Sequence, residues 1–312
     1  MIKSFFYGTL SALALSGVAT AETPSVAVDI PPIHSLVAQV MQGVGTPNLI
    51  VQPGASPHGY SLRPSEAATL QSADIVFWVS ESLTPWLNQP INTLATNAKS
   101  VELLETDGTT ELKFRTGATF DKDSHDDHAD GEETDAHGHD GQGHDPHAWL
   151  DPENARNWLD VIATDLAALN PENAETYAAN AALGNAELTT LIDEINTDLK
   201  TFRGTNFIVF HDAYQYFENR FDISAIGAIS LGDASTPSPA RIAEIRDKVV
   251  KLGVKCAFSE PQFNSGLVQA VFQGTGAVTG VLDTLGSDIP LGTDLYPQLL
   301  RNLANNLAAC LK

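Results

Sequence analysis

Of the nine histidines in this 312-residue chain, four stand outside one dense cluster: His34, His58, His147 and His211. His211 closes the apolar run Phe207-Ile208-Val209-Phe210, which reads as a buried parallel strand. Ligands of open α/β sheets sit beyond the carboxyl ends of the strands, so this position aims an imidazole at a cleft. His58 follows the apolar run at 49–51 through the turn Pro53-Gly54-Ala55-Ser56-Pro57, and His147 stands just ahead of a helix start at Asp151-Pro152. Asp283 ends the run 277–282 and is expected to present a carboxylate at the same edge. Taken singly, a histidine after a strand is more often packed or capping than a ligand. Three imidazoles on strand-exit and helix-entry loops, with one oxygen, make a set suited to tetrahedral Zn2+ at about 2.0–2.1 Å. Manganese, calcium and magnesium prefer shells richer in oxygen. Such ligands must be neutral, so affinity is expected to fall below roughly pH 6.5. His34, within a helical pattern at 33–41, reads as a supporting or ordinary surface residue.

The dense cluster is the segment 121–145. It holds ten acids, one lysine, four glycines and five histidines: His125, His128, His137, His139 and His144. Its only apolar side chains are Ala129 and Ala136, too little to offset the entropy of ordering, so a disordered surface loop is expected. The bland reading is a solubilising acidic insertion. Clustered His and Asp also carry the composition of metal capture, and that reading is preferred as a secondary capture loop.

Acids outnumber bases 39 to 17, for a formal charge of −22. That balance repels phosphate backbones and anionic membranes and attracts cations, so no nucleic-acid partner is expected. Lys3, the apolar stretch from Phe5 to Leu15 and the small residues Ala19-Thr20-Ala21 read as a secretory signal peptide spanning 1–21. The residue directly after the cleavage point is Glu22 rather than Cys, so no lipid anchor is expected. In an oxidising compartment Cys256 and Cys310, the only cysteines, are most simply one disulfide; two metal-binding thiolates are the weaker alternative.

These residues need a scaffold. β-rich runs at 25–30, 48–52, 74–79 and 100–104 alternate with helical patterns at 33–41, 64–71 and 84–97. The alternation resumes with runs at 206–210, 224–230, 256–259 and 277–282 and helical patterns at 214–221, 239–252, 266–273 and 296–311. This predicts an α/β protein of two lobes, each with a four-stranded, mainly parallel sheet flanked by helices. Between them Tyr177, Ala181, Gly184, Leu188, Leu191, Ile195 and Leu199 recur three and four apart, predicting one long backbone helix. The expected boundaries are an N-terminal lobe at 22–170, a linker helix at 171–201 and a C-terminal lobe at 202–312.

The segments Gly54-Ala55-Ser56-Pro57-His58, Asp145-Pro146-His147-Ala148-Trp149-Leu150-Asp151-Pro152, Val209-Phe210-His211-Asp212-Ala213-Tyr214, Ser259-Glu260-Pro261-Gln262-Phe263 and Leu282-Asp283-Thr284-Leu285-Gly286 occur in this order. With them the chain resembles the zinc-specific periplasmic solute-binding proteins of bacterial ABC transporters, the ZnuA-like family of metal-binding cluster A-I. The resemblance implies metal held between two lobes by His58, His147 and His211, with Asp283 or a water as fourth ligand. It also implies a periplasmic monomer that binds Zn2+, delivers it to an ABC-transporter membrane permease, and is not an enzyme. Manganese-binding relatives carry Glu where this chain has His211. Two alternatives stand beside this reading: a zinc-dependent hydrolase, with Glu260 as its best general base, and a manganese or iron receptor of the same fold.

Overall fold

A computed structural model describes residues 22–115, 120, 143–230, 238–263 and 265–312, with the backbone alone at 265, 267, 268 and 270. The expected signal peptide at 1–21 and most of the acidic, histidine-rich segment, including His125, His128, His137 and His139, lie outside the described residues.

The first half is built from β1 (Val26–Val28), α1 (Pro31–Val40), β2 (Asn48–Leu49), α2 (Pro64–Gln71), β3 (Ile75–Trp78), α3 (Asn88–Leu94), β4 (Lys99–Glu102) and α4 (Pro152–Leu169). Its strands form one parallel sheet in the order β2-β1-β3-β4. Apolar β1 and β3 are buried throughout, as central strands covered on both faces must be. The helical pattern at 84–97 gives only the short α3. Pro85 disfavours helix at Thr84, and Pro90 fits only the first turn, where no amide donor is required.

The second half contains β5 (Phe207–His211), α6 (Gln215–Phe221), β6 (Ala225–Ser230), α7 (Pro239–Leu252), β7 (Cys256–Ser259), α8 (Ser265–Phe272), β8 (Val278–Val281) and α9 (Leu295–Leu311). Its sheet is again parallel, in the order β6-β5-β7-β8. β5 and β7 are therefore neighbours, so whatever follows Ser259 emerges beside His211. The two expected four-stranded sheets are both present.

Between the halves runs α5 (Ala174–Leu199), a 26-residue helix with a 3-10 turn at each end. Its buried residues are the seven named by the sequence pattern, Tyr177 through Leu199. Gly184 lies inside this helix without ending it. A Cβ there would come within 2.8 Å of Leu159 and 3.2 Å of Gln39, so the missing side chain lets α5 lie close against α4 and α1. One apolar core runs through both halves, from Val26 and Trp158 through Leu191 to Phe258 and Leu307. Truncating one of its leucines to alanine typically costs about 2–5 kcal/mol.

The C-terminal helix is tied in twice. Cys310 of α9 is disulfide-bonded to Cys256 at the start of β7, with Cα atoms 5.9 Å apart. At the other end of α9, Ser35 of α1 donates to the Thr293 carbonyl and accepts from the Tyr296 amide. No helix among the described residues is long and apolar enough to cross a membrane.

Candidate metal centre

His211 is the last residue of β5 and is buried. The next strand in the sheet, β7, ends at Ser259, so Glu260 leaves the sheet alongside it. Glu260 Oε1 lies 2.6 Å from His211 Nδ1, an ion-pair-like hydrogen bond with both side chains almost fully enclosed. That contact turns Nε2 outward, toward the other half of the molecule.

His147 reaches the same place from a loop and a 3-10 turn, Ala148–Leu150, that leads into α4. Asp145 fixes it twice: Oδ1 accepts from the His147 backbone N–H at 3.0 Å and faces its Nδ1 at 2.7 Å. Burial pushes the Asp145 carboxyl up to about 7, opposed by the His147 amide and by the charges of Arg115, His211 and His58. The turn itself is anchored by Trp149, whose indole N–H donates to the Thr284 carbonyl at 2.8 Å and whose own carbonyl accepts from the Tyr296 hydroxyl at 2.7 Å.

His58 is half-buried and comes from the loop after β2. Gly54 holds a positive φ of 82° in that loop, a conformation glycine adopts without strain. The Trp86 indole donates to the Pro57 carbonyl at 2.7 Å, pinning the residue before His58.

These three imidazoles converge. His58 Nε2 is 3.4 Å from His147 Nε2, which is 3.2 Å from His211 Nε2, and one ligand atom from each residue lies within 4.8 Å of the others. The three rings, with Trp149, Glu260 and Phe263 among others, line a cavity of about 10 Å³, space for roughly one water-sized sphere.

A match to the family model for the periplasmic zinc-uptake complex component A, ZnuA, runs over residues 26–310. The chain belongs to the ZnuA family. It is 44% identical over 309 residues to the high-affinity zinc uptake system protein ZnuA of Brucella abortus (strain 2308), covering 93% of this chain and 92% of that one. The same protein of Paracoccus denitrificans (strain Pd 1222) is 41% identical over 304 residues, covering 94% and 93%. A crystal structure of ZnuA shares the fold with a TM-score of 0.76 at 23% identity, covering 93% of this chain and all of that one.

Within this ZnuA-family fold not every expected ligand joins the group. Asp283 is absent from the three-residue cluster. Its carboxylate accepts from the Leu285, Gly286 and Ser287 backbone amides and from the Gln262 amide, so it caps the turn after β8. His144, the one described histidine of the acidic segment, places Nδ1 2.6 Å from Glu111 Oε2, and its backbone bridges to Lys113. His34 is buried in α1 rather than on the surface; burial holds its pKa below the ordinary imidazole value, against the Pro47 backbone, which raises it. Sequence reasoning misses the supporting role of two carboxylates. It groups Asp145 with the acidic segment and weighs Glu260 as a general base. The spacing Asp-Pro-His, which lets a side chain cap the amide two residues on, is the available signal for Asp145.

Proposed function

We propose that this chain is a zinc receptor of the periplasm, that His58, His147 and His211 bind Zn2+ between the two halves, and that it hands the ion to the membrane permease of an ABC transporter. One observation carries the reading. Three nitrogens at zinc's bond length, arranged tetrahedrally, stand about 3.3 Å apart; the two Nε2 separations from His147 are 3.4 and 3.2 Å, and all three ligand atoms lie within 4.8 Å of one another. Hydrogen bonds donated by the far ring nitrogens, His147 Nδ1 to Asp145 and His211 Nδ1 to Glu260, favour Nε2 as the ligand atom and raise its basicity. With Asp283 engaged by the turn amides, solvent is the proposed fourth ligand. The names of the ZnuA relatives, and a related structure of a ZnuA deletion mutant with zinc bound, support the choice of ion. Glu260 is committed to His211, which supports a binding role over a hydrolytic one. The acidic segment is proposed to raise the local zinc concentration beside the cleft.

Calorimetry on the purified chain, with and without residues 121–142, tests this. One tight zinc equivalent surviving the deletion, with weaker equivalents lost, is the expected result. Loss of the tight equivalent with the segment, or manganese binding as tightly as zinc, would overturn it.

A further inference from the structure

Helix α6 starts four residues after His211, and four of its seven side chains reach the stretches that carry or flank His147. The Gln215 side-chain amide stands 3.1 Å from both Asp145 Oδ2 and the Lys113 carbonyl, two acceptors that its nitrogen serves once the amide is turned toward them. Tyr216 donates its hydroxyl to the Asp145 carbonyl at 2.8 Å and accepts from the Leu112 amide at 2.9 Å. Glu218 accepts from Arg115 at 2.7 Å, and the same guanidinium grips Asp212, the residue after His211. Arg220 forks onto Asp151, with Nε to Oδ1 and the terminal nitrogen to Oδ2, both at 2.7 Å.

The last of these has the most direct line to the imidazoles. Asp151 is separated from His147 by the single 3-10 turn Ala148–Leu150. It is buried, and its Oδ1 also caps α4 by accepting from the Glu153 amide at 2.9 Å. Arg220 sits on α6, which begins four residues after His211 at the end of β5. A two-pronged guanidinium–carboxylate bond fixes both distance and angle, and a metal site tolerates errors of only about 0.5 Å in its ligands. We propose that Arg220 and Asp151 form a positioning pair that holds His147 against His211 at the spacing a tetrahedral ion demands. Loosening it lets the two rings separate, so the site releases zinc faster and accepts higher coordination numbers. This rests on the three-histidine zinc reading.

Two variants separate geometry from charge. Asp151→Asn keeps the helix cap, since Asn caps as well as Asp, but removes the carboxylate. Arg220→Lys keeps the positive charge and loses the fork. Each is loaded with cobalt(II), whose visible bands are intense in tetrahedral sites and weak in octahedral ones, and zinc release to a chelator is timed separately. Weaker, shifted cobalt bands and zinc release about tenfold faster, corresponding to about 1.4 kcal/mol, are expected in both variants. Wild-type bands and wild-type release, even with a lower melting temperature, would make the pair purely structural and overturn the proposal. A wild-type chain without tetrahedral cobalt bands would instead overturn the three-histidine reading, and this inference with it.

Discussion

His147 and His211 lie 64 positions apart in the chain, yet their Nε2 atoms stand 3.2 Å from each other. Each ring also has a carboxylate on its other nitrogen, Asp145 for His147 and Glu260 for His211. Two imidazoles arriving from opposite halves with ring orientations already set would make a preorganised half of the proposed metal shell, and His58 stands at the third corner.

The three rings are expected to dominate affinity. If the binding free energy of a tight structural zinc site is shared among its ligands, His58→Ala, His147→Ala or His211→Ala weakens zinc by about 10²–10³-fold each. His34→Ala leaves affinity near wild type, because His34 is not part of the group. Asp283→Asn changes zinc affinity less than about tenfold but lowers the melting temperature, since the Asp283 carboxylate caps the turn at Leu285–Ser287. Competition titration against a chromophoric chelator reads the affinities. An Asp283→Asn loss as large as that of His211→Ala would make Asp283 a ligand after all.

Glu260→Gln and Asp145→Asn test the supporting carboxylates. Either change leaves a neutral partner on Nδ1, and partners at this position are typically worth about 10–100-fold in metal affinity. Both variants should still bind one zinc, with affinities reduced by that factor. Unchanged affinity in both, measured by the same titration, would show that the imidazoles hold their orientation without these partners.

The residues that chemistry alone can find are those at predictable places in the fold. A strand's carboxyl end points to His211, and α5 is legible because its buried residues repeat every three to four positions. Partnerships set by sheet order are not legible. Glu260 meets His211 only because β7 pairs with β5, and nothing local in the sequence states that order. Asp145 is hidden by its neighbours, since the composition of a whole acidic window outweighs one buried member. Asp283 shows the opposite difficulty. The run Asp283-Thr284-Leu285-Gly286-Ser287 is as good a turn-capping sequence as a ligand position, and the turn amides take the carboxylate.

Reducing the Cys256–Cys310 bridge should destabilise the fold without dismantling the site. The bridge closes a loop across a separation of 54 positions, for which the chain-entropy model gives about 4 kcal/mol. Cys310→Ser or added reductant is therefore expected to lower the melting temperature by several degrees while the tight zinc equivalent remains. The proposed ligands lie on β5 and on loops outside the bridged segment, which supports this separation. Differential scanning calorimetry beside a zinc titration checks both halves of the expectation, and loss of zinc binding on reduction would show that α9 is needed to hold the two halves together.

Asp29 supplies one separable part of the pH dependence. It follows β1 and is wholly buried; Oδ1 accepts from the Ile30 amide and Oδ2 from the Val79 amide, each at 2.8 Å. Burial nevertheless outweighs these bonds and raises its pKa from 3.8 to about 7. Between those values the unfolded chain has lost the proton that the native state keeps, so the native state binds more protons. Stability then falls as pH rises, by about 1.4 kcal/mol per unit for one fully linked proton, and the penalty levels off above pH 7. Asp29→Asn cannot ionise, so it removes this slope, although it loses one of the two amide bonds and starts from lower stability. Urea unfolding of the metal-free protein at pH 5, 6, 7 and 8 gives the comparison. The wild-type stability minus that of the Asp29→Asn variant should decline across pH 5–7 and flatten by pH 8; parallel curves would mean that Asp29 is ionised in the native state throughout.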